Sequence, residues 1–365
     1  MKNLLNELKI STPGRVCLFG EHQDYLHLPV IACAISLRIS IAGIRRKDML
    51  VNIILPDISD QESFSIAEPI IYAKERDYFK SSINILLKKS FTFSSGFDCT
   101  VKGDIPINAG TSSSSALIVT WINFLTRMSD QSIILSPEQL ARYAYEAEVL
   151  EFSEPGGMMD QYSTSIGGII YMDFFPSAVV TSLNTNLKTL VLGNSKEPKN
   201  TRYILSHVKD QILHVDTVLR KTYKGFSLQD VSSNDISKFQ SNLSKSQYKI
   251  FQGTIKNRDI TRIARAELNK KNPDHRMIGK LLNEHQSILR EVLGISTPKI
   301  DKMIQAALDA GAFGAKINGS GGGGCMFAYA PESPNRIKMA IEQAGGEAFI
   351  INPDSGSRKE TVETD

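Results

Sequence analysis

Cysteine is scarce, with four residues in 365. Cys17, Cys33, Cys99 and Cys325 form no CxxC pair, so neither a zinc-ribbon nor a thioredoxin-like signature is present. Three of them stand among apolar neighbours and read as small core residues. Long apolar runs are missing too, and no stretch approaches the length of a membrane span. The N-terminus, MKNLLNELKI, has charge inside its short apolar stretch and no cleavage site, so it is not read as a signal peptide. Excess charge of one sign is also lacking. Lys and Arg number 42 against 39 Asp and Glu, a formal net charge of +3, with no basic block, which argues against a nucleic-acid or membrane-surface partner. The expectation is a reduced, soluble, cytoplasmic protein, monomeric or homodimeric, long enough for two domains around a large core.

What is present centres on Pro106–Leu117, PINAGTSSSSAL. Proline and glycine open the stretch, and four serines run into the apolar segment that carries Trp121, Phe124 and Leu125. The step from polar to apolar reads as a tight loop feeding a helix. A helix start has unpaired N–H groups and positive dipole character, which suits phosphate. Gly110 allows close backbone approach. Taken alone, the stretch is equally a plain serine-rich cap. It is not a Walker A loop, because the G-K-[ST] ending is absent.

Before it, a strand centred on Val16–Phe19 ends at Gly20. The dense polar cluster Glu21-His22-Gln23-Asp24-Tyr25 follows directly. Such a cluster between apolar strands marks either a surface turn or a site for a polar ligand, and Arg15 stands beside it. Two strands are expected in Met49–Phe64 and a helix over Ile70–Lys89. A further helix starts at Ser136-Pro137 and runs to Leu150, carrying Glu148. Asp160 lies twelve residues beyond Glu148, across a Pro-Gly-Gly break that could bring both carboxylates to one pocket. From about Leu187 the texture becomes helical, with helices expected at Tyr203–Leu219, Ile236–Phe251, Asp259–Asn269, Met277–Leu293 and Lys299–Ala310. Then comes a second glycine-rich loop, Asn318–Gly324, before an apolar strand. Its glycines point to close approach by a ligand or by the first domain. The tail after Asp354 has almost no apolar residues and is expected to be mobile.

Three stretches, PGRVCLFGEHQDY, PINAGTSSSSAL and KINGSGGGGCMFAYA, with PGGMMDQY between the last two, resemble the GHMP kinase superfamily across nearly the whole chain. Within it, GEHQDY and GMMDQ are most similar to the galactokinases and related sugar-1-kinases. The resemblance implies an α+β fold of two domains: residues 1–186, like ribosomal protein S5 domain 2, and 187–354, ferredoxin-like, followed by the tail 355–365. It implies an ATP- and Mg²⁺-dependent kinase acting on the anomeric hydroxyl of galactose or a similar sugar. Asp160 would be the catalytic carboxylate, with Arg15 supporting it. Glu21, His22 and Asp24 would hold the sugar. The phosphate loop would comprise Pro106, Asn108, Ala109, Gly110, Thr111, Ser112, Ser113, Ser114 and Ser115. Ser114 and Glu148 would hold magnesium. Gly319–Gly324 would back the phosphate loop. Three departures bear on the sugar: Thr111 where leucine is usual, Ser115 where alanine is usual, and GNSKEPKNTRYILS in place of a Y-N-x-R-R segment. The alternatives are a GHMP kinase for a uronic acid, a heptose phosphate or mevalonate, or a sugar- and ATP-binding sensor without catalysis.

Overall fold

The computed structural model describes residues 7–174, 178–198 and 201–361, with side chains omitted for 201–207. The first half is built on β1 (Leu8–Phe19), β2 (Val30–Arg45), β3 (Leu50–Leu55), β4 (Asp60–Ser65), β5 (Phe97–Gly103), β6 (Ile169–Asp173) and β7 (Val179–Ser182). Its helices are α1 (Tyr78–Lys88), α2 (Ser113–Met128), α3 (Pro137–Tyr145) and α4 (Met159–Ile166). The second half contains β8 (Leu190–Asn194), α5 (Thr201–Thr222), α6 (Lys245–Leu268), α7 (His275–Glu291), α8 (Pro298–Asp309), β9 (Gly314–Ile317), β10 (Cys325–Tyr329), α9 (Pro334–Gln343) and β11 (Glu347–Ile351), and β12 (Arg358–Lys359) is the last element among the described residues.

The first sheet runs β12-β1-β2-β5-β3-β4, with β6 and β7 added on β2. The length of β2 makes this possible: Val30–Cys33 pair with β6 and Ile39–Arg45 with β5. Among the described residues only β3 and β5 pair in parallel; the other pairs in this sheet are antiparallel. Residues Val30–Ile35 are all buried, whereas the later part of β2 alternates, as expected where one face of a sheet is left open. Helix α2 is buried along most of its length. Its Trp121 stacks on Phe124, takes the edges of Phe79 and Phe97, and donates its indole N–H to the Phe79 carbonyl at 3.0 Å. Complete burial of aliphatic and aromatic side chains contributes about 1.5–3 kcal/mol each, so this cluster fixes the helix whose N-terminus forms the site. The second sheet is antiparallel throughout, in the order β11-β8-β10-β9. With its helices between the strands, this is the ferredoxin-like arrangement that the sequence implied.

Several expectations are corrected. Helix α1 begins at Tyr78, not Ile70, because Arg76 adopts φ +58 and Asp77 folds back to accept from the Ala73 N–H. The expected helix over Ile236–Phe251 is divided. A 3₁₀ run ends at Asn242, and Ser244 then opens α6 with a full capping box. Helix α6 continues without a break through the segment expected as a separate helix from Asp259. The tail is not mobile as far as it is described. Arg358 and Lys359 pair with Ser11 and Ile10, and the Arg38 guanidinium binds Asp354 Oδ2 at 2.8 Å and the Ser355 and Gly356 carbonyls. A Cβ on Gly167 would overlap the Gly356 backbone. The tail is held by polar and backbone contacts, so its lack of apolar residues misled. Residues 362–365 lie outside the described residues. Among the described residues, no helix is long and apolar enough to cross a membrane.

Candidate active site

Strand β1 carries Arg15 and leaves the core at Phe19. Gly20, at φ +93, turns the chain where a Cβ would lie 2.7 Å from the Pro29 carbonyl. The polar cluster that follows is no surface hairpin: Glu21, His22 and Gln23 are 1%, 6% and 1% exposed. His22 Nε2 lies 3.0 Å from the Ser320 carbonyl, which can only accept, so that nitrogen carries the proton. In the neutral imidazole, Nδ1 then accepts from the Tyr25 hydroxyl at 2.8 Å. A Cβ on Gly157 would overlap the Asp24 carboxylate, so the glycine lets that side chain close over the break between α3 and α4. Burial, reinforced by the nearby Asp160 charge, pushes the Asp24 carboxyl up to about 6.

The serine-rich loop turns through left-handed residues, Asn108 at φ +54, Gly110 at φ +86 and Ser112 at φ +60. Ser112 makes no side-chain capping bond to α2. Its hydroxyl oxygen is buried without a partner. The first turn of α2 therefore opens onto the cleft with unused donors, the arrangement an anion requires. The second glycine loop lies directly behind it. Cβ atoms on Gly319 and Gly324 would come within 2.8 Å of the Gly110 carbonyl and 2.6 Å of the Ala109 carbonyl. Asn318 Nδ2 donates to Gly110 O at 2.8 Å, and the Cys325 N–H to Ala109 O at 2.7 Å. The close approach expected of these glycines is made to the first half of the chain.

Asp160 sits in the first turn of α4, where the helix dipole favours a carboxylate. Arg15 donates to Asp160 Oδ1 from Nε at 2.9 Å and from Nη2 at 2.7 Å, and from Nη1 to Gly110 O at 2.5 Å. One guanidinium thus joins the carboxylate to the phosphate loop. Burial works against its charge, but the Asp160 charge and bonds outweigh that, and the Arg15 pKa is raised. Glu148 lies in a π-helical turn, Glu146–Leu150, that widens the end of α3; such turns occur often at functional sites. Gln161 donates to Glu148 Oε2 at 2.6 Å. Burial raises the Glu148 pKa, against bonds from Gln161, Ser115 and Ser114. Ser114 hydrogen-bonds Glu148, and both are hard oxygen donors of the type that would hold a magnesium ion.

Arg15, Glu21, His22, Asp24, Asn108, Gly110, Ser112, Ser113, Ser114 and Asp160 line one cleft of about 170 Å³. Pro106, Ala109, Thr111, Ser115 and Glu148 do not line it. Ala109 and Thr111 serve through backbone carbonyls, to Cys325 and Arg15, and Ser115 hydrogen-bonds Glu148. The sequence reading missed Arg76, which lines the cleft while bound by Nε and Nη2 to both oxygens of Glu154. It also missed Lys316, whose signal was a lone charge in the apolar stretch before the second glycine loop. The GNSKEPKNTRYILS stretch that departs from Y-N-x-R-R spans residues 193–206, of which 199, 200 and the side chains of 201–206 lie outside the described residues.

Two domain families match in order, GHMP kinases N terminal domain over residues 77–168 and GHMP kinases C terminal over 264–347. The chain belongs to the GHMP kinases. It is a phosphotransferase of that family, and the galactokinase galactose-binding signature matches residues 6–45, which include Arg15 and the Glu21–Asp24 loop. Among curated relatives it is 28% identical to a mevalonate kinase of Thermococcus sibiricus, over 93% of this chain and 94% of that one. It is 26% identical to the galactokinase of Homo sapiens, over 94% and 89%. Lactococcus lactis galactokinase, solved in complex with galactose, superposes with a TM-score of 0.86 at 20% identity, covering 98% and 96% of the two chains. That structural likeness establishes the shared fold.

Proposed function

We propose that this kinase transfers the γ-phosphate of ATP to the anomeric hydroxyl of galactose or a similar neutral sugar. The observation that carries the reading is the Arg15–Asp160 pair, set between a buried hydroxyl-seeking cluster and an open helix N-terminus. Both Arg15 bonds to the carboxylate fall on Oδ1, leaving Oδ2 for the substrate hydroxyl. Asp160 would take the proton from that hydroxyl as the new phosphate ester bond forms. Arg15 and the α2 N-terminus would meet the charge gathering on the transferred group. Magnesium, held by Ser114 and Glu148, would neutralise phosphate charge. His22 and Asp24 would orient the sugar ring, and orientation supplies much of what phosphoryl transfer needs.

A mevalonate substrate would ask for a cation to meet its carboxylate. The two arginines that line the cleft, Arg15 and Arg76, are each bound to an acidic partner at two points. This favours a hydroxyl-rich neutral acceptor. The test is ADP release with Mg²⁺ against galactose, galacturonate, glucuronate, arabinose, fucose, N-acetylgalactosamine, heptose 7-phosphate and mevalonate. Turnover is expected with galactose or another neutral sugar. Turnover with mevalonate alone would overturn the substrate assignment, and sugar binding without any turnover would make the protein a sensor.

A pH dependence follows from Asp24. As a hydroxyl acceptor it must be ionised, so kcat/KM for the sugar should rise with pH through about 6 and then level. Asp24→Asn should remove that limb. The stability linkage runs the other way. The folded protein holds this proton more tightly than the unfolded chain, so the contribution is full below pH 3.8 and is lost as pH rises through about 6. A sugar-dependent limb that persists in Asp24→Asn would assign it to another group.

A further inference from the structure

We infer that Glu154 is a specificity-determining residue for the acceptor: it holds the fork of Arg76 and so withholds that guanidinium from a sugar that carries a carboxylate. The inference deepens the sugar-kinase reading and rests on it. Arg76 is one of two arginines that line the cleft shared by Asp160, Asp24 and His22. The other, Arg15, is committed to Asp160 and the Gly110 carbonyl. Arg76 donates from Nε to Glu154 Oε1 at 2.8 Å and from Nη2 to Oε2 at 2.9 Å. This is the planar, two-point fit that a guanidinium makes with a carboxylate or a phosphate. Glu154 therefore occupies the same donors that an acidic acceptor would use. The cleft is only about 170 Å³, so a group on a sugar held at Asp160 comes within reach of the Arg76 fork.

The pair stands at the acceptor wall. Glu154 precedes the Pro155-Gly156-Gly157 break, and its N–H donates to the Val149 carbonyl at 2.9 Å. Gly156 and Gly157 line the cleft, and Gly157 is the residue that closes on the Asp24 carboxylate. Arg76 meets this wall from the chain before α1, at φ +58. A left-handed arginine is uncommon and persists only where its surroundings hold it. The next residue supplies the hold: Asp77 is 1% exposed, and its Oδ2 takes the Ala73 N–H at 3.0 Å and the Lys80 ammonium at 3.2 Å. The two segments do not need the Arg76 pair to stay together. The Tyr72 hydroxyl donates to Glu151 Oε1 at 2.5 Å and the Ser81 hydroxyl to the Ala147 carbonyl at 2.9 Å. Tyr72 and Tyr78 also pack on Phe152, with ring centroids 5.5 and 5.8 Å away. The Arg76 side chain remains 39% exposed, and an ion pair with so open a partner adds little to stability. What the pair changes is the charge that the cleft offers. A free guanidinium there would attract carboxylate and phosphate groups, whereas a paired one leaves hydroxyl groups as the better-matched ligands.

The test is binding and turnover of galactose and galacturonate, which carries a carboxylate in place of the hydroxymethyl group, in the parent protein and two variants. Glu154→Gln keeps the side-chain shape and removes the charge. Its affinity for galacturonate is expected to rise about tenfold or more, the scale of a hydrogen bond to a charged group. Affinity for galactose and for an ATP analogue should stay within about threefold of the parent. The gain should shrink as salt is raised, because the fork is partly exposed. In turnover it should fall on the galacturonate KM and leave kcat for galactose unchanged. Arg76→Met/Glu154→Gln should lose the gain, which assigns it to the guanidinium. A gain that survives in the double variant would overturn the proposal, as would a Glu154→Gln protein whose galacturonate affinity stays within about threefold of the parent. A parent that already prefers galacturonate would overturn it too, and a variant that tightens only on the ATP analogue would assign Arg76 to the nucleotide instead. If Glu154→Gln does not fold, the pair is a structural brace and the proposal falls. A parent that binds neither sugar fails the sugar-kinase reading and takes the proposal with it. A parent that binds galactose, with no gain in the variant, leaves that reading standing and removes only the role of Glu154.

Discussion

Asp160→Asn is expected to lower kcat by about 10²–10⁴-fold, the span attributed to a positioned general base, while KM for sugar and ATP changes little. The substitution keeps the shape and the acceptor oxygen that Arg15 uses, so the guanidinium and the phosphate loop should stay in place. What is lost is the charge and the ability to take a proton. Steady-state kinetics with the preferred sugar check the size, and product analysis checks that the residual rate makes the same ester. A loss confined to KM would show that Asp160 acts only in binding. A loss of less than about tenfold would make positioning and charge on the phosphates the main source of catalysis, with the base contributing little. This second outcome is physically reasonable for a loose phosphoryl-transfer transition state, in which the hydroxyl proton leaves late.

The site was more legible in the sequence than the scaffold around it, and the reason is local. A phosphate loop must turn tightly and start a helix, so glycine, serine and an apolar run have to be contiguous, and PINAGTSSSSAL shows all three. The second glycine loop was legible for a similar reason. Gly319 and Gly324 meet the backbone of Gly110 and Ala109, where no side chain fits. The anchors were harder to read because they act across great sequence distances. Lys316 and Glu21 are 295 residues apart, and Arg38 and Asp354 are 316 apart. Nothing in the neighbourhood of either residue announces its partner. Periodicity also failed where the backbone overrules it. The apolar spacing from Tyr72 to Leu86 suggests a single helix, yet Arg76 at φ +58 forbids one through that point. The tail erred in the opposite sense, since β12 adds to a sheet through main-chain bonds that composition does not reveal.

Arg15→Met should cost nearly as much as loss of the carboxylate, about 10²–10³-fold in kcat/KM, the scale for removing a preorganised donor from developing charge. Arg15 holds two positions at once, Asp160 Oδ1 and the Gly110 carbonyl. Methionine fills part of the volume and serves neither. Arg15→Lys should fall between, because a single ammonium cannot reproduce a planar fork that spans two acceptors. The informative variant is the double one. If Arg15 acts mainly by holding Asp160, then Arg15→Met/Asp160→Asn should be little worse than Asp160→Asn alone, since the second change removes a support for something already gone. If the losses multiply, Arg15 stabilises the transferred phosphoryl group on its own account. The geometry predicts the first result for sugar-side kinetics. Its bond to Gly110 O leaves room for a smaller, separate effect on ATP, and an ATP KM that rises equally in Arg15→Met and in the double variant would isolate it. The same guanidinium would then be seen to align the base and brace the phosphate loop, joining the two reacting partners through one side chain.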